Sequence, residues 1–487
     1  MISVHGVPLA TKLPSAGVLL ALVLAALVVI AVLVPLMRRH EDLLPLLAIF
    51  ALPFRLPISA SGKTVNLLIP LYLVVAAGTI AYLLPALLAR RAASNEPLPN
   101  QRAPDEAATT EPALEPATRR SGRLLERLGP RHVEALLLAA VLLYVLQTAY
   151  SSDRAKAAEN IVFFYLPFAL LFVLLRRVQW RRELLLRCLA VAVGLAVVFA
   201  GIGFIEYFRK SLFLNPKVVA ANQYDNYFRV NSLFFDPNIY GRFLALVMLA
   251  LTTAVMWART RREIALGGLV LAWLLCGLVT SFSQSSIAAL LLGLAIIAAW
   301  RWDVMLATYV SVVAVVLAGA VLLLAPTGLH FGLKGSGGST NNATSGRTKL
   351  IQGGLELFAK RPLEGYGSGS FETEYKRHSG ANSEDATTAS HTIPVTIAAE
   401  QGILGLGVYL ALLVSAFVVL FRGAGRSPPR IAVAACFAAL VLHTWTYADF
   451  LEDPFTWTLL AIGLALVAAE RSGRGHEPAQ AATASSV

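Results

Sequence analysis

The residues best suited to chemistry in this chain stand at the edges of apolar runs. His391 lies just before IPVTIAAEQGILGLGVYLALLVSAFVVLF, which runs from Ile393 to Phe421. Thr392 can cap a helix there, and Pro394 falls in its first turn, where proline is tolerated. The positive end of the helix dipole disfavours an imidazolium, so His391 is expected to be neutral near pH 7 and able to act as a general base. Taken alone, an interfacial histidine that only anchors the chain is the reading to prefer. Arg229 and Arg347 also sit at run boundaries. A guanidinium there can clamp phosphate bidentately. It can equally anchor a headgroup or pair with Asp225, Glu356 or Glu364. Two arginines and a histidine on one side form a stronger pattern than any one of them. Together they suggest an anionic lipid headgroup as substrate and a hydroxyl that must lose a proton. Glu400 lies nine residues beyond His391, hence more than about 10 Å deeper and on the opposite helix face. It is expected to be buried against a neighbouring helix rather than paired with the histidine.

These residues must be held by membrane helices. The chain has 487 residues, 57% of them hydrophobic and only 14% charged, with a mean hydropathy of +0.66. Apolar runs of about 17–25 residues, each long enough to cross a bilayer, recur along it. Spans are expected near 16–37, 43–59, 66–89, 133–150, 159–175, 184–206, 236–257, 264–281, 285–300, 303–325, 393–421, 430–448 and 453–469. The fold class is therefore an all-α polytopic membrane protein with about 12–14 helices. The arginines after alternate spans, from Arg38 and Arg39 to Arg471 and Arg474, fit one orientation. The N-terminus is outside and the C-terminus inside, because Lys and Arg accumulate in cytoplasmic loops. The second span is the weak element, being short and carrying Pro53, Arg55 and Pro57. If it is re-entrant, the N-terminus moves inside. The formal charge of +12 follows this membrane pattern and is no nucleic-acid signature. Cys188, Cys276 and Cys436 all fall in apolar runs and read as small core residues, with no disulfide frame or metal site.

The domain reading follows from composition. Residues 1–91 and 133–325 hold the N-terminal and central spans, and 393–470 the C-terminal ones. Residues 92–132 read as a disordered cytoplasmic linker and 471–487 as a polar tail. Polar residues concentrate in two outer loops, 207–235 and 326–392. In the larger one, Leu350, Ile351, Leu357 and Phe358 recur at helical spacing. Ser345 can cap that surface helix, Arg347 lies in its first turn and Pro362 ends it, while Gly353 and Gly354 weaken it.

Four sequence elements carry a resemblance: RVNSLFFDPN from Arg229, SFSQSS from Ser281, GRTKL with RPLEGYGSGSF, and His391–Thr392 followed by Glu400 and QGILGL. In this order they resemble the O-antigen ligase and polysaccharide polymerase family, from about Arg229 to Leu410. The resemblance implies a GT-C-like membrane glycosyltransferase. Such enzymes move a glycan from undecaprenyl pyrophosphate to an acceptor hydroxyl, inverting the anomeric centre and using no metal or other cofactor. It assigns catalytic roles to His391 and Arg347, and substrate binding to Arg229, Asn238, Gln284 and Glu400. Gln284 is a departure, since members commonly carry arginine in that element; Arg229 is then left to supply the contact. The implied partners are the lipid-linked donor, a glycan or lipid–glycan acceptor, membrane lipid, a flippase and chain-length proteins. The implied location is the inner (plasma) membrane, with the site on its extracytoplasmic side.

On this reading His391 takes the acceptor proton, and Arg347 and Arg229 stabilise charge on the leaving pyrophosphate. The chain has no D-x-D triplet, so a metal-bridged nucleotide sugar is not supported. Asp153 is the one acid that could seed a metal-dependent rival. The competing class is a multi-span transporter or flippase of an anionic or lipid-linked solute, with Arg55, Glu400 and His443 along its path. Against it stand the absence of repeat halves and the one-sided polar loops.

Overall fold

The computed structural model describes residues 16–60, 63–94, 128–213, 228–302, 347–379 and 392–474. Among these, eleven helices are long and apolar enough to cross a membrane, from Leu20–Arg39 to Pro454–Ser472. They coincide with eleven of the expected spans. The span expected at 303–325, the linker at 95–127 and the tail beyond 474 lie outside the described residues.

The span expected at 43–59 is corrected. Its helix, Leu43–Ala51, has only nine residues. Proline 53 lacks the N–H that would continue it. The chain then forms a hairpin in which Leu56–Ala60 pairs antiparallel with Lys63–Leu67, from Leu56 opposite Leu67 to Ala60 opposite Lys63. Pro57 is accommodated because a two-stranded ribbon has a free edge. The segment still covers much of the bundle's height. Asp42 pairs with Arg187 at 3.1 Å, and Phe54 packs edge-on against Phe199. Those two partners lie twelve residues apart on the helix Arg182–Arg209, about 18 Å along its axis.

One end of the bundle is basic and compact. Arg430 is buried there, donating to Glu470 at 2.7 Å and to the Arg422 carbonyl at 2.7 Å, which ties together the last three helices. Arg301 lies over the Trp257 ring. The opposite end gathers the turns 149–153, 281–283, 361–371 and 447–453. Backbone and side-chain bonds join Ser152 to Tyr366, Arg229 to Ser281 and Arg242 to Ala448. Just beneath it, Arg242 pairs with Asp453 at 2.5 Å, both essentially inaccessible. A charge so deep is sustained only by such a partner.

The surface helix expected in the large loop forms as Arg347–Lys360 and meets a second helix, Phe371–Ser379. Leu350 and Leu357 are buried with Phe371, Tyr375 and Ala399. The glycines that weaken the helix on propensity have a packing reason. Gly353 lies against the Tyr375 ring and Gly354 against Val395 and Phe371, with no room for a Cβ at either.

Candidate functional site

The segment Arg361–Phe371, RPLEGYGSGSF, folds back onto the helix Ile393–Phe421 at the one place where that helix is broken. Gly402 has φ 65° and ψ −162°. The break frees backbone groups that an intact helix would use internally. Ile403 N–H donates to the Pro362 carbonyl at 2.8 Å, Tyr366 N–H to the Ala399 carbonyl at 3.2 Å and Gly367 N–H to the Glu400 carbonyl at 2.8 Å. The Glu400 side chain completes the joint. Its Oε2 accepts the Gly369 N–H at 2.8 Å and its Oε1 the Phe371 N–H at 3.0 Å. Gly365 also has positive φ, and a Cβ there would overlap the Glu400 carbonyl; one on Gly402 would overlap that of Leu363. Only glycine satisfies both the conformation and the approach. The PLEGYGSGSF and EQG elements are thus two halves of one joint. On its other side the segment is fastened to the turn 149–153, where Ser151 Oγ donates to the Ser368 carbonyl and the Tyr150 hydroxyl to that of Glu364, both at 2.7 Å.

Beside this joint lies a cavity of about 290 Å³. Its walls come from the helices Pro130–Thr148 and Arg154–Asn160, the start of Ile393–Phe421, and the turn 447–453. A π-helical turn at Ile161–Tyr165 brings Tyr165 into stacking contact with Tyr144, ring centres 4.2 Å apart. Asp153 faces the cavity but is engaged. It caps Arg154–Asn160 by accepting the Lys156 N–H at 2.9 Å and takes the Thr373 hydroxyl at 3.0 Å. That is the geometry of a helix cap. Glu452 accepts a long 3.4 Å bond from Asn160. Burial first, and then the Asp449 and Glu400 carboxylates, push the Glu452 carboxyl up to about 8 against the opposing pull of Lys156.

A second polar cluster lies next to it. Arg229 Nε donates to the Ser281 carbonyl at 3.2 Å and Nη2 to Asn238 Oδ1 at 3.4 Å. Asn238 Oδ1 also accepts from Ser283 Oγ at 2.9 Å, and Ser283 caps the helix Gln284–Arg301. His443 Nε2 lies 3.1 Å from Ser286 Oγ and 3.3 Å from Ser285 Oγ, wholly enclosed. The chain enters this cluster over Glu206, whose buried carboxylate accepts the Asn231 and Ser232 N–H groups. Glu206 and Glu400 therefore play the same part, each a lone acid within an apolar run that fastens a turn by its amides.

Of the expected substrate-binding residues, Arg229 and Asn238 meet directly, and Gln284 follows the capping Ser283 at the exposed start of its helix. Glu400 stands apart on the cavity wall. Arg347 opens its helix as expected, but its side chain lies outside the described residues, as does His391. Arg55 and Glu400 share the cavity, while His443 faces the serines instead.

The turn 447–453, YADFLED, lies at the junction of the spans expected at 430–448 and 453–469. It joins the two polar regions. Tyr447 hydrogen-bonds towards Asp236, and burial and then that carboxylate raise its phenol well above the usual value. Asp449 and Glu452 face the cavity, and Asp453 holds Arg242. Three acids in so short a turn between two apolar runs were the available signal.

A family model described as O-Antigen ligase matches residues 269–410. The matched stretch contains the serine cluster, the surface helices and the joint at Glu400. Arg229, Asn238 and the turn 447–453 lie outside it. No curated protein matches the chain. Residues 269–410 are thus similar to the O-antigen ligase family, within a chain whose described residues hold eleven helices long and apolar enough to cross a membrane.

Proposed function

We propose that this protein is a membrane glycosyltransferase of the O-antigen ligase or polysaccharide polymerase type, acting at the extracytoplasmic face of the inner membrane. The observation that carries the reading is the joint at Glu400. The family match covers both of its halves, and the joint holds the start of the helix Ile393–Phe421 against the cavity. Ile393 is in the cavity wall, and His391 is only two residues before it, within about 7 Å of chain.

The donor is a glycan on undecaprenyl pyrophosphate. His391 takes the proton from the acceptor hydroxyl, whose oxygen attacks the anomeric carbon opposite the pyrophosphate. The glycosyl–oxygen bond to the pyrophosphate breaks, and its electrons leave with the phosphate oxygen. Arg347, at the start of the surface helix, and Arg229, beside Asn238 and Gln284, stabilise that charge. The anomeric configuration is inverted, and the reaction uses no metal. Purified protein in lipid vesicles should transfer glycan from a synthetic polyprenyl-pyrophosphate donor to an added acceptor. Solute flux without transfer would instead establish the transporter.

A further inference from the structure

We propose that the cavity beside Glu400 is the acceptor-sugar subsite, and that Asp449 and Glu452 make it select a glycan presenting hydroxyls or an ammonium over one presenting carboxylate or phosphate. The inference rests on the glycosyltransferase reading and adds to it the chemistry of the acceptor and the residues that recognise it.

Position is the first argument. The base must reach the acceptor hydroxyl, and Ile393, two residues after His391, is part of the cavity wall. The cavity volume of about 290 Å³ is at the small end for a ligand pocket, suited to a single sugar ring rather than a lipid.

Charge is the second argument. Six carboxyl groups line this space against two cations, Arg55 and Lys156, and the acids outnumber the cations even with Glu452 held towards its neutral form by burial. A pyrophosphate would be repelled here, whereas Arg229 and Asn238 lie in the neighbouring cluster. The carboxylates are spread around the wall, and no group of three acids, histidines or cysteines among the described residues converges to hold a metal ion.

Availability is the third argument. Glu400 is used by the loop amides, Glu159 pairs with Lys156 and Glu372 with Lys376. Glu452 has only the long bond from Asn160, and Asp449 makes no hydrogen bond with a described residue. These two can therefore accept from sugar hydroxyls. Tyr409 and Phe450, packed edge-on at 5.3 Å, add aromatic surface for the C–H face of a pyranose.

The test uses the full chain in lipid nanodiscs with two probes, a neutral hexose trisaccharide and the same trisaccharide ending in a uronic acid. Without donor, calorimetric titration should show the neutral probe binding more tightly. Asp449→Asn should weaken it about tenfold and narrow the difference between probes, as loss of a charge-assisted hydrogen bond does, and Glu452→Gln, which replaces a carboxyl that burial already holds towards its neutral form, should weaken it by a smaller factor. With donor, both variants should raise the acceptor KM and leave the donor KM unchanged. Equal binding of the two probes by the wild type, or a rise in donor KM alone, would overturn the assignment. If the wild type transfers no glycan, the glycosyltransferase reading fails, and the donor-free titration still decides whether the cavity binds sugar.

Discussion

Each oxygen of Glu400 accepts one backbone N–H, and that arrangement decides which replacements the position tolerates. Glutamine keeps one acceptor but turns an NH₂ group towards a second N–H, so donor meets donor. Glu400→Gln should therefore lose about 1–3 kcal/mol of stability. It should melt earlier in detergent and be cut sooner by protease near Tyr366, with Glu400→Leu worse still. An unchanged melting temperature and cleavage pattern in Glu400→Gln would mean that the two amides find other partners. Part of this was legible in the sequence: an acid inside an apolar run must be buried and satisfied, and its depth placed it away from His391. What satisfies it was not legible. The partners are main-chain amides about thirty residues earlier, and backbone groups leave no mark in residue identity. The amides of Asn231 and Ser232 that Glu206 holds are likewise unmarked in the sequence.

At the scale of elements, the joint between the segment 361–371 and the broken helix predicts a sharp contrast among glycines. Gly365→Ala and Gly402→Ala would each place a Cβ on a carbonyl at positive φ, and both should sharply reduce folded protein. Gly407 has nothing within 4 Å of an added Cβ and lies inside the helix. Gly407→Ala should be neutral or stabilising by at most about 1 kcal/mol. Fluorescence-detected size exclusion of the three variants gives the comparison; equal profiles would argue against the joint. In the sequence, GILGLG reads as one close-packing stripe, because spacing alone does not separate a glycine that admits a loop from one that faces open space. The surface helix was legible from the spacing of Leu350 and Leu357. The hairpin at 56–67 was not, since its first strand continues the apolar run 43–59 and its second, KTVNL, is short and leads directly into the next span. Only Pro53 and Pro57 hinted that the helix would stop.

For the whole molecule, the expected count and order of spans survive in eleven cases because each rests on length and hydropathy, which the bilayer makes decisive. The replacement of the second span is compatible with the expected orientation, since residues 42–54 still run from the Arg187 end to Phe199. In a cysteine-free background, Lys360→Cys should react with a membrane-impermeant maleimide added from outside, and Arg261→Cys should react only after the membrane is opened. The reverse pattern would put the cavity and the arginine cluster on the cytoplasmic side. The separation of the polar residues into a cavity and a neighbouring cluster was beyond the sequence. Arg229, Asn238 and Gln284 are close enough in the chain to suggest one another, whereas the cavity draws its walls from segments more than 300 residues apart. In the proposed reaction His391 removes the acceptor proton. The most direct measurement is glycan transfer by purified His391→Ala from a polyprenyl-pyrophosphate donor, in vesicles where folding and donor binding match the wild type. Loss of a general base predicts a rate lower by about 10²–10⁴-fold; transfer at near the wild-type rate would contradict the account.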